Sequence, residues 1–401
     1  VLRETLGESA KVEESGKACG APSKNYTVGV FHKMEDAIDA AEKAKYELSE
    51  YSMKDRERFI QEIKKWTLKN KYDLAKRVVE ETGLGNYEDK IKKHDLAART
   101  PGTELLSTSA QSGDTGLAII EQAPFGVIGA TTPVTNPSET VISNTIAMLA
   151  AGNTVVFNVH PSSKNVCAYV VKELNECIME LGGPKNLLTM VKDPTMASLE
   201  TLASSPKINL LVGTGGPGLV KALLQSGKKS IGAGAGNPPV VVDESANVKK
   251  AARDIVLGHS FDNNTVCILE KEVFVMNPVA NELLEAMEKE GAYLLEKDKV
   301  QDLLELITFK DQTGHHTKKQ WIGKDAHTYL DALGISYSSK PKCIICETDF
   351  EHPFVQLELL MPVLPIVRVE TFKQGVEYAV LAEHGNRHTA IVHSQNIDNI
   401  T

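Results

Sequence analysis

Cys267 stands in the stretch SFDNNTVCILEK, residues 260–271, just after the pair Asn263 and Asn264 and directly before CILEKEVFV, which reads as a strand over 267–275. A cysteine thiolate in such a place can attack a carbonyl carbon and carry an acyl group as a thioester. That chemistry needs two further things: hydrogen-bond donors for the oxygen that becomes an anion, and a base or a second nucleophile to remove the acyl group. The same spacing equally fits a buried strand cysteine, which is the commoner fate of this residue. The remaining cysteines are Cys19, Cys167, Cys177, Cys343 and Cys346. Six in 401 residues is a sparse count, as in a protein of a reducing compartment without a disulfide framework. Cys343-Ile-Ile-Cys346 is one pair without a second, set among apolar residues. It reads as a packed strand, and no metal site is expected.

A second kind of chemistry is suggested by glycines. Gly213-Thr-Gly-Gly-Pro-Gly218 follows the apolar run INLLV and precedes LVKALLQ. That is the strand–loop–helix setting in which backbone amides approach a phosphate. Pro217 inside the loop and the lack of an acidic residue about 20 positions on depart from the dinucleotide fingerprint. Nucleotide loop and helix-packing turn both stay open on this stretch alone. Gly232-Ala-Gly-Ala-Gly236 has no helix after it and reads as a tight crossover unless a site is nearby.

These residues need a scaffold, and the chain spells one out. Strand-like runs (GVIGATT, NTVVFNV, LLTMV, INLLVG, PPVVVD) alternate with helical patterns at about 138–150, 163–181 and around MASLETLAS. The alternation predicts βαβ units and parallel sheets. It resumes with helices at 246–258, 279–290, 298–308 and 372–383 and strands at 343–347, 362–369 and 389–393. Before it, MEDAIDAAEKAKYEL and KDRERFIQEIKKWTLKNKYDLAKRVVEETG read as helices, the second with Phe59, Ile63 and Trp66 on one face and Gly83 as its C-cap. The class is α/β in two lobes, 27–232 and 233–393, with the boundary in the glycine-rich IGAGAGNPP. Residues 1–26 form a polar tail and linker, and 394–401 begin a further segment. A net charge of −9 and 42% hydrophobic residues give no basic stripe for nucleic acid. No apolar run reaches the about 18 residues of a membrane span, and no secretory signal is visible.

Five segments in order resemble the aldehyde dehydrogenase superfamily: ATTPVTNP (130–137), MLAAGNTVVFNVHPSSK (148–164), GTGGPG (213–218), SFDNNTVCILEK (260–271) and QLELLMPVLPIV (356–367). ETGLGNYEDK, TPGTE, GAGAGNPP and HSQNIDN are similar to its CoA-acylating branch, which makes acetyl-, propionyl- or butyryl-CoA. The resemblance spans about residues 28–401. It implies two Rossmann-like lobes: an NAD-binding domain, carrying a small oligomerisation strand at about 116–124, and a thiol-bearing catalytic domain.

By motif, Cys267 aligns with the nucleophile, and the Asn136 amide with the Cys267 N–H would hold the oxyanion. Thr214, Gly215 and Gly216 would approach the cofactor diphosphate, and Glu358 the nicotinamide-side ribose. Thr131 and Pro133 belong to the cofactor-lining first motif. His160 stands where many relatives carry lysine, and Ser163 where some NAD-specific relatives hold the adenosine ribose with glutamate. These departures leave NAD and NADP open, and the resemblance to the CoA-acylating branch favours NAD. Hydrolytic relatives activate water with a glutamate where this chain has Ala233, so CoA is the expected acyl acceptor and a short-chain aldehyde the substrate. The alternatives are a hydrolytic aldehyde dehydrogenase, an acyl-phosphate reductase and a non-catalytic scaffold partner. His259 and His384 could assist proton transfer. The resemblance also implies a homodimer or homotetramer in the cytoplasm or inside a bacterial microcompartment, with VLRETLGESAKVEESG as a shell-targeting helix. Relatives continue past Thr401, so the strand GLAIIEQAP is expected to expose an edge.

Overall fold

The computed structural model describes residues 28–401, so the expected tail and Cys19 lie outside the described residues. The chain divides into two compact units, residues 1–82 with 91–234, and residues 83–90 with 235–401. The second unit thus claims a short segment, 83–90, from the middle of the first, which no shift in composition announces.

In the first unit the strands are β1 (Val30–Phe31), β2 (Ser109–Gly113), β3 (Gly116–Ile120), β4 (Val127–Thr132), β5 (Thr154–Val159), β6 (Leu188–Val191), β7 (Leu210–Thr214) and β8 (Ser230–Ala233). Six of them form a parallel sheet in the order β1-β6-β5-β4-β7-β8. Both faces are covered, so β4 and β5 are buried at every position, as parallel sheets require. Alternate residues serve opposite layers. Ile128, Ala130, Val155 and Phe157 pack with the helices Met53–Thr82, Pro137–Ala150 and Lys164–Glu180. Val127, Val156 and Leu211 pack with the helices Met34–Leu48, Met196–Ser204 and Pro217–Leu224. Phe59 and Ile63 share the first core, with Trp66 packed against it, and Gly83 takes the left-handed φ of 66° expected of a C-cap.

β2 and β3 make an antiparallel hairpin exposed throughout. GLAIIEQAP pairs on one side with the run before it and, in a sheet of two strands among the described residues, leaves its other edge open, as expected. Leu117, Ile119 and Ile120 stand in solvent on it.

The second unit holds β9 (Pro239–Val242), β10 (Glu272–Met276), β11 (Ala292–Leu294), β12 (Thr308–Asp311), β13 (Gly314–Thr317), β14 (Cys343–Glu347), β15 (Val363–Val369) and β16 (Ile391–His393). Its parallel sheet runs β11-β14-β15-β10-β9-β16, and β12 and β13 form a hairpin. Val240, Val273 and Ile345 pack on the helices Val248–Ser260 and Asn277–Lys289, while Val241, Phe274 and Val367 pack on Phe372–Ala382. Cys343 and Cys346 point into two different cores. Burial pushes both thiols up to about 12, so the CxxC is packing.

The strand expected over 267–275 begins only at Glu272. Residues 267–271 are a loop because Lys271 turns its ammonium back onto the preceding carbonyls, with Nζ 3.1 Å from Asn264 O and 3.2 Å from Val266 O. The helix Tyr87–Ala98, the hairpin of β12 and β13 and the helix Ala326–Ala332 escape the sequence reading. Among the described residues no helix is long and apolar enough to cross a membrane, and no group of three His, Cys, Asp or Glu could hold a metal ion.

Candidate active site

In the first unit the chain leaves β4 through a helix to β5 on one side and leaves β7 through a helix to β8 on the other. Neighbouring strands whose connections diverge open a crevice at their carboxyl ends, where ligands of doubly wound sheets bind. Thr131 and Thr214 stand at that crevice. Thr131 Oγ1 accepts the Thr214 N–H at 3.2 Å, so a hydroxyl joins the two strand ends. Gly215 N donates to Ala233 O at 3.2 Å, and Gly216 caps the helix Pro217–Leu224. A side chain at Gly216 would meet no atom within 4 Å, so the space over this helix start is open to a ligand. Pro217, a departure from the fingerprint, sits at the first helical position, where a missing N–H costs nothing.

Pro133 is half-buried in the loop leaving β4. His160 follows β5 directly, is exposed, and accepts the Ser162 N–H on Nδ1 at 3.2 Å. Ser163 differs from expectation. It is fully buried and its hydroxyl donates to His160 O at 3.1 Å, so it builds the turn and presents no oxygen at the surface for a ribose.

Asn136 caps the helix Pro137–Ala150. Its Nδ2 donates to Thr135 Oγ1 at 3.1 Å, while its buried Oδ1 has no partner. A half-turn of the amide would put the donor where the orphaned oxygen now points. Buried Lys93 fastens this turn, donating to Thr135 O at 3.2 Å and facing the Glu139 carboxylate at 3.9 Å.

In the second unit Cys267 is half-buried and follows three consecutive left-handed residues, Asp262, Asn263 and Asn264, with φ of 48°, 53° and 62°. Such conformations cost roughly 1–3 kcal/mol each and persist where surroundings over-determine them. Here they do. Asp262 pairs with Lys90 at 2.9 Å, both side chains fully buried. It also accepts the Asn86 N–H at 3.0 Å and the Thr265 hydroxyl at 2.6 Å, and its own N–H donates to Asp89 Oδ2 at 2.8 Å. Asn263 donates to Gly323 O at 3.0 Å and Asp325 Oδ1 at 2.8 Å. Asn264 Nδ2 donates to His259 O at 2.8 Å and Glu270 O at 3.1 Å. Gly85, at φ 73°, has no room for a side chain because the Asp262 carboxylate fills that space. This is why the second unit takes in 83–90: the segment grips the turn that carries Cys267. The resemblance marked ETGLGNYEDK without giving it a role in the site.

The second glycine cluster is no simple crossover. A Cβ on Gly236 would fall 2.5 Å from Cys267 O and 3.1 Å from the His388 ring, so only glycine lets the backbone pass over the thiol-bearing loop. Gly236 N donates to Glu358 Oε1 at 3.2 Å. Burial pushes the Glu358 carboxyl up, opposed by the Lys271 charge. His388, which sequence reasoning missed for want of a motif, therefore lies beside the Cys267 carbonyl.

His259 is fully buried with Nδ1 2.6 Å from Glu270 O, and burial pushes it down to about 3. It is a neutral structural ring and no surface base. His384 pairs through Nε2 with Gln356 O at 3.0 Å. Cys167 is fully buried, and burial raises its thiol far above the ordinary range. Burial also pushes Cys177 up to about 11, which leaves Cys267 as the half-exposed thiol among the described cysteines.

Comparison with known proteins agrees with this geometry. The aldehyde dehydrogenase family model matches residues 17–401. The acetylating acetaldehyde dehydrogenase EutE of Escherichia coli K12 is 43% identical over 379 residues, 94% of this chain and 81% of that one. A solved propionaldehyde dehydrogenase from the fucose utilisation microcompartment of Clostridium phytofermentans superposes with a TM-score of 0.90 at 50% identity, over 93% of this chain and 85% of that one. The Rhodopseudomonas palustris propionaldehyde dehydrogenase, solved with CoA and an acylated cysteine, gives 0.89 at 46% identity over the same shares. A family match over nearly the whole chain and relatives this similar in sequence and fold lead to one conclusion: the chain belongs to the aldehyde dehydrogenase family.

Proposed function

We propose that this protein oxidises a short-chain aldehyde of two to four carbons to its acyl-CoA, with NAD as hydride acceptor, and that it runs the reaction in both directions. The observation that carries the reading is the half-exposed Cys267 thiol, with Gly236 packed over its carbonyl and no carboxylate at Ala233. The Cys267 thiolate adds to the aldehyde carbon and forms a C–S bond, and the oxygen becomes an alkoxide. The Cys267 N–H and the Asn136 amide hold that alkoxide; one such donor contributes roughly 3–4 kcal/mol to the barrier. NAD, when bound, takes the hydride from the aldehyde carbon, which leaves a thioester on Cys267. Thr131, Pro133, His160 and Thr214–Gly216 line the cofactor, and Glu358 meets its nicotinamide-side ribose.

With no carboxylate at 233 to activate water, the acyl carbon waits for a thiolate. CoA supplies it, and Cys267 leaves as thiolate again. His388, whose ring lies against Gly236, takes the CoA thiol proton in this reading. The test is NADH formation from propanal and NAD with and without CoA. The reading predicts CoA dependence and acyl-CoA as product; equal rates without CoA, yielding free acid, would replace it with hydrolysis.

The exposed apolar hairpin of β2 and β3 supports a homodimer or homotetramer, which light scattering would read. The microcompartment origin of the C. phytofermentans relative supports residence in such a shell. Co-sedimentation with shell proteins, before and after removal of residues 1–24, tests that.

A further inference from the structure

A second buried cation besides Lys90 is tied to the stretch that carries Cys267. Lys271 is almost wholly buried, yet its ammonium donates to three oxygens of one short stretch: Asn264 Oδ1 at 2.5 Å, Asn264 O at 3.1 Å and Val266 O at 3.2 Å. Its own N–H donates to Pro238 O at 3.0 Å, just before β9. A primary ammonium has three protons, and three acceptors on the loop preceding Cys267 take them up. The charge is left to its surroundings. The groups that face it are Glu358, Cys267, Glu272 and Glu270, while His259 nearby is held neutral by burial. Glu272 is itself fully buried, with neither carboxylate oxygen hydrogen-bonded, and burial raises it well above the ordinary carboxyl range. Burial thus disfavours the charged form of Glu272 and weakens it as a counter-charge. Burial pushes Lys271 down to about 8, so near neutral pH the cation survives in a site that disfavours it.

We propose that Lys271 is a positioning residue for the nucleophile: its ammonium locks the left-handed turn 262–264 against the Cys267 loop and biases the Cys267 thiol towards thiolate. The inference rests on Cys267 being the nucleophile and adds what activates it. A lysine cation beside a thiol favours the ionised form, and a buried one does so with less screening than a surface one. The device needs no proton-accepting partner for the thiol: His259, in the last turn of the helix Val248–Ser260, is neutral and turned to Glu270 O, and His388 lies against Gly236 on the side of the Cys267 carbonyl.

The test is the pH dependence of Cys267 alkylation by iodoacetamide, followed on the isolated peptide, in the apo-protein. In the parent the midpoint is expected below the about 8.5 of a free thiol; a midpoint at or above that value overturns the proposal. Lys271→Met keeps length and loses charge. It should raise the midpoint by about one pH unit and lower kcat in the CoA-dependent assay by about 10-fold, with KM for NAD unchanged. Lys271→Arg should keep the midpoint within a few tenths of a unit. A folded Lys271→Met with the parent's midpoint overturns the proposal, and so does a folded Lys271→Arg whose midpoint rises as far as a neutral residue's should. Alkylation reads the thiol without turnover. Failure here is therefore distinct from failure of the nucleophile assignment, which would show as undiminished activity in Cys267→Ala.

Discussion

The turn before Cys267 and the glycine loop Thr214–Gly216 both end a region of irregular backbone at a place where chemistry is expected, yet they are built on opposite plans. Around Cys267 nearly every side chain is committed. Asp262 is clamped by Lys90, Asn86 and Thr265, Asn263 by Gly323 and Asp325, and Asn264 by Lys271. The glycine loop has one side-chain tie, Thr131 to the Thr214 N–H, and open space above Gly216. A nucleophile must hold one atom in place through addition, hydride loss and acyl transfer, and a 1 Å displacement is costly. A diphosphate is met by backbone amides, and any Cβ in its path is an obstacle. Rigidity in the first region comes from side chains, and access in the second from their absence.

Substitutions can break that contrast, beginning where the effect should be largest. Cys267→Ala should lower CoA-dependent NADH formation by about 10⁴-fold or more, with no change in melting temperature; a labelled acyl group found on another side chain would overturn the account. Asp262→Ala removes the buried carboxylate that pairs with the buried Lys90 ammonium and should cost about 3–5 kcal/mol of stability, measured by denaturant unfolding. If it costs nothing, the clamp is not what holds the turn. Asn136→Ala should lower kcat about 10²- to 10³-fold while leaving KM for NAD in place.

Glu270→Gln tests the electrostatics of the loop. Burial pushes Glu270 up to about 7, above its ordinary value, so the folded state holds that proton more tightly than the unfolded one. The stability this contributes is fully present below the unfolded carboxyl range and is lost as pH rises through about 7. The glutamine variant should thus match the parent near pH 4.5 and melt higher than it by pH 8, with the gap growing between. Smallest of all, Gly216→Ala should leave the melting temperature unchanged, since its Cβ meets nothing. Binding of the cofactor should suffer instead, with KM for NAD raised about fivefold, roughly 1 kcal/mol. An unchanged KM would move the diphosphate elsewhere.

Much of the scaffold was legible because burial on both faces writes itself as apolar runs. NTVVFNV and PPVVVD became β5 and β9 with bounds close to those expected. The helix Met53–Thr82 ended at Gly83 as its apolar stripe implied. Where polar contacts override propensity, reading failed. ILEK after Cys267 has the alternation of a strand but is a loop, because Lys271 satisfies carbonyls that a strand would have turned to its neighbours. Ser163 stood at a position associated with ribose binding and instead closes its own turn. Gly232–Gly236 looked like a plain crossover, since nothing local shows that His388 and the Cys267 carbonyl lie beneath it.

The sequence by itself determined the two α/β sheets, the candidate thiol and the missing carboxylate at Ala233, because periodicity and residue type are local properties of the chain. Only the tertiary structure decided that 83–90 belongs with the Cys267 turn, that Gly236 passes over the Cys267 carbonyl and that Lys271 faces Glu358. Those facts join residues far apart in the chain, and a buried charge or a close backbone approach is defined by what surrounds it in space, which no run of neighbours along the chain can specify.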